Sequence, residues 1–98
     1  MNLKEFKNFL EEKLNKEKFY EMAENQIIES AKEVEKAKIP NKSQMKSLID
    51  NAWNNLISAQ YNSIKSSIKK NKINNYDAWV EKIDEVELIE QLNDSFNN

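Results

Sequence analysis

The chain has 98 residues, 15 of them basic and 17 acidic, for a formal net charge of −2, and it lacks cysteine, histidine and glycine altogether. A chain of that length makes one domain around one core, and without cysteine or histidine it has no disulfide, thiolate metal site, thiol nucleophile or imidazole base. Without glycine it has no P-loop, dinucleotide fingerprint or EF-hand loop, and it lacks the residue that hairpins and tight βα turns use for positive φ.

In chain order, the first element is an amphipathic stripe, Leu3, Phe6, Leu10 and Leu14, with lysine and glutamate opposite. The next apolar set is Phe19, Ala23, Ile27, Ser30 or Ala31, and Val34. On one ideal helix it would be displaced by roughly a third of a turn, which places a break near Asn15 to Lys18. The second helix ends before Pro40, because the residue before a proline is pushed out of the α region. Asn41 or Ser43 then caps a third helix running from Lys42 to about Lys70, a rod on the order of 40 Å. Residues 71 to 76, NKINNY, read as a loop, with Asn71 as the helix stop and Asp77 as the next N-cap. A further start is expected at Asp84, which has capping-box spacing to Glu87 ahead of Leu88, Ile89 and Leu92. The fold class is therefore all-α: a single domain, residues 1 to 98, built as a small antiparallel bundle of four helices, or five if the last is broken, with a long central third helix.

The third helix carries the longest stretch without a charge, from Asn51 to Ile64. Its apolar residues form two stripes: Met45, Ile49, Ala52, Leu56 and Ala59, widened by Leu48, and Trp53, Ile57, Tyr61, Ile64 and Ile68. Together they exceed the apolar arc of about 100° usual for a surface helix. Either this helix is the centre of the bundle and both stripes are covered by the chain itself, or Trp53, Ile57 and Tyr61 form an exposed interface with Asn54, Ser58 and Asn62 as polar neighbours. A homodimer through this helix would use both stripes.

Charge is segregated along the chain. Residues 1 to 40 hold eight lysines and nine glutamates; residues 41 to 75 hold six lysines and Asp50; residues 76 to 98 hold Lys82 against seven acids. Lys65, Lys69, Lys70 and Lys72 sit where the macrodipole of the third helix favours cations. They are the only support for nucleic-acid binding, which would call for arginine, a basic domain and interleaved aromatics, so direct binding is not expected. Glu81, Glu85, Glu87 and Glu90 form an acidic patch that either faces solvent, alongside the lysine-rich helix end, or docks on a basic groove of another protein.

Catalysis would fall to Asp, Glu, Lys, Tyr and Ser alone, so no enzyme, cofactor or metal site is expected. Charges recur every few residues at the N-terminus and no segment reaches the roughly 18 apolar residues of a membrane span, so a soluble, cytoplasmic protein is expected. The bias towards Lys, Asn and Ile fits an AT-rich genome. Size and helical layout resemble bacteriocin immunity proteins, small phage-encoded inhibitors including anti-CRISPR proteins, and secreted helical hairpins of the WXG type. The Trp-x-Gly turn of the last group is absent, because Trp53 is followed by Asn54 and Asn55. The resemblance is one of architecture alone; the elimination of chemistry, the candidate interface and the acidic patch lead to the expectation of a bacterial or phage inhibitor, immunity factor or regulator that blocks a site on a larger protein, a nucleic-acid-handling enzyme among the candidates. The expected partner-binding residues are Trp53, Ile57, Tyr61, Glu81, Glu85, Glu87 and Glu90. The alternative is a homodimeric assembly protein.

Overall fold

The computed structural model describes residues 1–34 and 38–97. Among the described residues five helices follow one another: α1 (Leu3–Lys13), α2 (Lys16–Glu33), α3 (Lys42–Ser67), α4 (Tyr76–Glu85) and α5 (Leu88–Phe96), with one 3-10 turn at Lys70–Lys72. No strand occurs among the described residues.

Asparagine does most of the punctuation that glycine does elsewhere. Asn2 opens α1 with a capping box: its side chain accepts from the Glu5 N–H at 2.8 Å, and the Glu5 carboxylate accepts from the Asn2 N–H at 3.0 Å. Asn41 opens α3 the same way with Gln44, at 2.9 and 3.2 Å. The break expected between the first two helices lies at Leu14 and Asn15, where Leu14 is extended and Asn15 caps α2 by accepting from the Lys18 N–H. Asn93 of α5 clamps this junction, accepting from the Asn15 N–H at 2.8 Å and donating to the Lys13 carbonyl at 3.3 Å. Backbone groups left over at two helix ends are thereby satisfied. The path expected from α2 towards Pro40 passes through residues 35–37, which lie outside the described residues.

Three local expectations are corrected. The third helix stops at Ser67 rather than Lys70, and Asn71 lies inside the 3-10 turn. Asn75, not Asp77, caps α4: its side chain accepts from the Ala78 N–H, so Asp77 falls in the first turn, where the macrodipole favours it. The Asp84–Glu87 capping box does not form. Burial of Trp79 and Ile83, one helical turn apart, keeps α4 helical through Glu85, whereas an N-cap needs non-helical backbone. The chain instead reverses through Glu87 at φ 55°, ψ 39°, a left-handed conformation, with the Glu87 N–H donating to the Asp84 carbonyl.

The two apolar stripes of α3 turn out to be one oblique stripe. Its buried residues are Met45, Ile49, Trp53, Ile57 and Ile64, with Tyr61 and Ile68 half-buried, while Leu48, Ala52 and Ala59 are exposed. Steps of four residues advance about 40° beyond a full turn, so the stripe swings about 160° around the helix between Met45 and Tyr61. Different neighbours therefore cover its two halves. Towards the start, α2 and α5 bring Phe19 and Phe96 to Trp53, with centroids 5.1 and 6.1 Å away. Towards the end, α1 and α4 bring Phe6 and Trp79 to Tyr61, at 5.5 and 5.0 Å, the second pair stacked. Two aromatic triangles in line along one rod give a molecule of 53 × 21 × 20 Å with a radius of gyration of 16.0 Å, well above the roughly 13 Å of a compact domain of this size.

Candidate protein-binding surface

Trp53 and Ile57 do not form an exposed patch. Each is 1% exposed, and Tyr61 is half-buried, because the oblique stripe turns this sequence inward. Their polar atoms are satisfied within the chain: the Trp53 indole N–H donates to Glu11 at 2.9 Å, and the Tyr61 hydroxyl donates to the Met1 carbonyl at 3.1 Å. Asn54, expected as a polar neighbour of that patch, accepts from Lys7 at 2.9 Å. The interface reading of Trp53, Ile57 and Tyr61 gives way to the core reading.

Burial accounts for only half of the uncharged stretch. The opposite side of α3, at Asn51, Ala52, Asn55, Ala59, Asn62 and Ser63, is exposed and equally free of charge.

Beside the core, half-buried Glu11, Tyr20 and Asp50 form a polar cluster with exposed Lys16. Glu11 accepts from both Trp53 and Lys16, the latter at 3.0 Å, and the Tyr20 hydroxyl donates to Asp50. Desolvation pushes the Glu11 carboxyl up, but hydrogen bonds from Lys16 and Trp53 and the charges of Lys16 and Lys7 outweigh it and hold the group below its ordinary value. Burial, then the bond to Asp50 and the charges of Asp50 and Glu11, push Tyr20 up to about 12. A phenol in that state is a poor proton donor near neutral pH, and the cluster serves as a clamp between α1, α2 and α3.

The acids expected to contact a partner are all on the surface. Glu81, Glu85, Glu87 and Glu90 are exposed. Their surroundings differ. Glu85 pairs with Lys82 at 3.2 Å, and Glu87 occupies the left-handed turn. Glu81 and Glu90 are brought together with Asp84 on the rim of a groove of about 560 Å³ between α1, α4 and α5. Phe9, Val80, Ile83 and Ile89 supply its apolar lining, and Lys13 stands on the α1 side, its ammonium 5.0 Å from the centre of the Phe9 ring.

Among the described residues, Glu85 is the only acid of α4 and α5 in an ion pair. The lysine cluster at the end of α3 does not neutralise this segment: Lys65, Lys69, Lys70 and Lys72 are exposed and in no ion pair among the described residues, and Lys65 lies over the Tyr61 ring at 5.8 Å. No group of three potential metal ligands occurs among the described residues, and none of their helices is long and apolar enough to cross a membrane.

Reading the sequence alone missed Phe9, Lys13, Val80, Ile83, Asp84 and Ile89 as members of this surface. Phe9 carried a usable signal: it is apolar yet off the Leu3, Phe6, Leu10, Leu14 stripe, so it widens that helix towards a second neighbour. Comparison with family models, with curated proteins and with solved structures finds no significant match.

Proposed function

We propose that the chain is a non-enzymatic protein-binding module that covers a basic site on a larger protein, with the surface of α4 and α5 making the contact. The carrying observation is the run of exposed acids Glu81, Asp84, Glu87 and Glu90 with no lysine paired to them among the described residues. A predominantly acidic face steers a basic partner and repels phosphate backbones. Occupying a basic groove of a nucleic-acid-handling enzyme is the use that this charge pattern suits, in the manner of a bacterial or phage inhibitor or immunity factor.

The test is affinity capture from the native host by the wild-type chain and by a Glu81→Lys, Glu87→Lys, Glu90→Lys variant. A stoichiometric protein retained only by the wild type, and released by salt, is the expected result. Identical recovery by both forms overturns the reading.

A second reading, a symmetric homodimer, is favoured by the charge-free outer side of α3. In a two-fold contact the same patch meets itself, so a patch without charge avoids like-charge repulsion. Light scattering tests it: a dimer shows twice the 11.6 kDa chain mass and returns to that mass in Asn55→Glu.

A further inference from the structure

We infer that the groove between α1, α4 and α5 receives a cationic amphipathic helix of the partner, with an apolar side chain seated among Phe9, Val80, Ile83 and Ile89. This rests on the reading of α4 and α5 as the contact surface and goes beyond charge to the shape and chemistry of the element that binds.

Three observations select this occupant. The groove, about 560 Å³, has an apolar lining built from three different helices. Other depressions on the surface reach 320–450 Å³, so size alone selects nothing; this one is the largest of those described and joins four apolar side chains to three carboxylates. Next, Glu81, Asp84 and Glu90 stand at the groove, while Lys13 is the only basic residue among the described ones that line it. An entering apolar residue is thus flanked by lysines or arginines, and an anionic ligand or lipid headgroup is repelled. Finally, no strand occurs among the described residues, so they offer no sheet edge for β-augmentation, and the helix-in-groove mode uses a surface of this kind. In that mode apolar anchors recur at i, i+4 and i+7, and lysine or arginine on either flank meets the carboxylates.

The probe is a synthetic helical peptide with leucines at i, i+4 and i+7 and lysines on both flanks, set against a peptide in which serine replaces each leucine. Binding is followed by fluorescence anisotropy and by amide chemical shifts of the full chain. Seating one apolar side chain is worth about tenfold or more in affinity. The leucine peptide is expected to bind at least that much tighter, with shifts concentrated at Phe9, Lys13, Val80 and Ile89. Its advantage is expected to vanish in Ile89→Lys, whereas Glu81→Gln with Glu90→Gln, both exposed, weakens both peptides and flattens their salt dependence. Equal binding of the two peptides overturns the inference and leaves the acidic contact surface standing. Absence of shifts with either peptide overturns both, and shifts centred away from α1, α4 and α5 overturn the groove as the site.

Discussion

Replacing Ile57 by alanine separates core from interface more cleanly than any change at a tryptophan, because isoleucine has no polar atom whose lost partner would confuse the result. Ile57 is 1% exposed and lies on α3 between the two aromatic triangles. Removing three carbons at about 0.8 kcal/mol each gives about 2.4 kcal/mol. A cavity held open by the surrounding helices raises the loss to about 3–4 kcal/mol. Against a total stability of about 5–15 kcal/mol the variant remains folded, with Tm lowered by roughly 12–32 °C. Leu48→Ala is the control, since Leu48 lies on the same helix at 48% exposure and its truncation is expected to cost about 0.5 kcal/mol or less. Urea unfolding followed by circular dichroism supplies both numbers. A loss below about 1 kcal/mol for Ile57→Ala, or equal losses at the two sites, refutes the oblique-stripe packing of α3.

Glu87→Gly is expected to raise stability by about 0.5–1 kcal/mol, because glycine adopts the left-handed backbone at φ 55° without a Cβ penalty, while Glu87→Val lowers it; thermal melts of both check the sign. Glu11 has its folded pKa below the ordinary 4.5, so its contribution is whole above pH 4.5 and is lost as pH falls through the depressed folded value. Glu11→Gln should flatten that part of an acid-unfolding curve read by tryptophan fluorescence, and an unchanged slope would contradict the clamp. Tyr20 behaves oppositely: its proton is retained up to about pH 12 in the fold against an ordinary 10.0, so stability falls as pH rises between those values. Tyr20→Phe is expected to remove that alkaline loss, measured as urea midpoints across the range.

Helix positions were largely legible because the first four helices start at asparagine caps, and the phase shift between Leu14 and Phe19 marks a real break at Leu14 and Asn15. What misled was the assumption that an apolar arc keeps a constant bearing along a helix. On α3 a four-residue repeat drifts, so residues from two nominal stripes join one buried path, and Ala52 and Ala59 drop out of the core. The start of α4 was misplaced because Asn75 and Asp77 are both good caps, and only the bond from the Ala78 N–H to Asn75 decides between them. The groove was not legible at all. It depends on Phe9 of α1 meeting α4 and α5 across sequence separations of about seventy and eighty residues, which no local pattern encodes.

Asp84 gives the strongest reason to treat the groove rim as more than a solvated face. Helix stability explains several neighbouring acids: Asp77 lies in the first turn of α4 and Glu90 in the first turn of α5, where a negative charge is favoured, and Glu85 is held by Lys82. Asp84 has none of these supports, because it is exposed, sits in the last turn of α4 where the macrodipole disfavours an anion, and forms no ion pair among the described residues. A charge kept against helix stability fits a role outside folding. Asp84→Asn is therefore expected to stabilise the chain by about 0.3–1 kcal/mol while weakening its hold on a cationic partner, the usual sign of a residue placed for function. Chemical denaturation and peptide anisotropy on the same variant read the two effects separately. A variant that loses stability without losing affinity would return Asp84 to the scaffold and leave the rim with no demand beyond solubility.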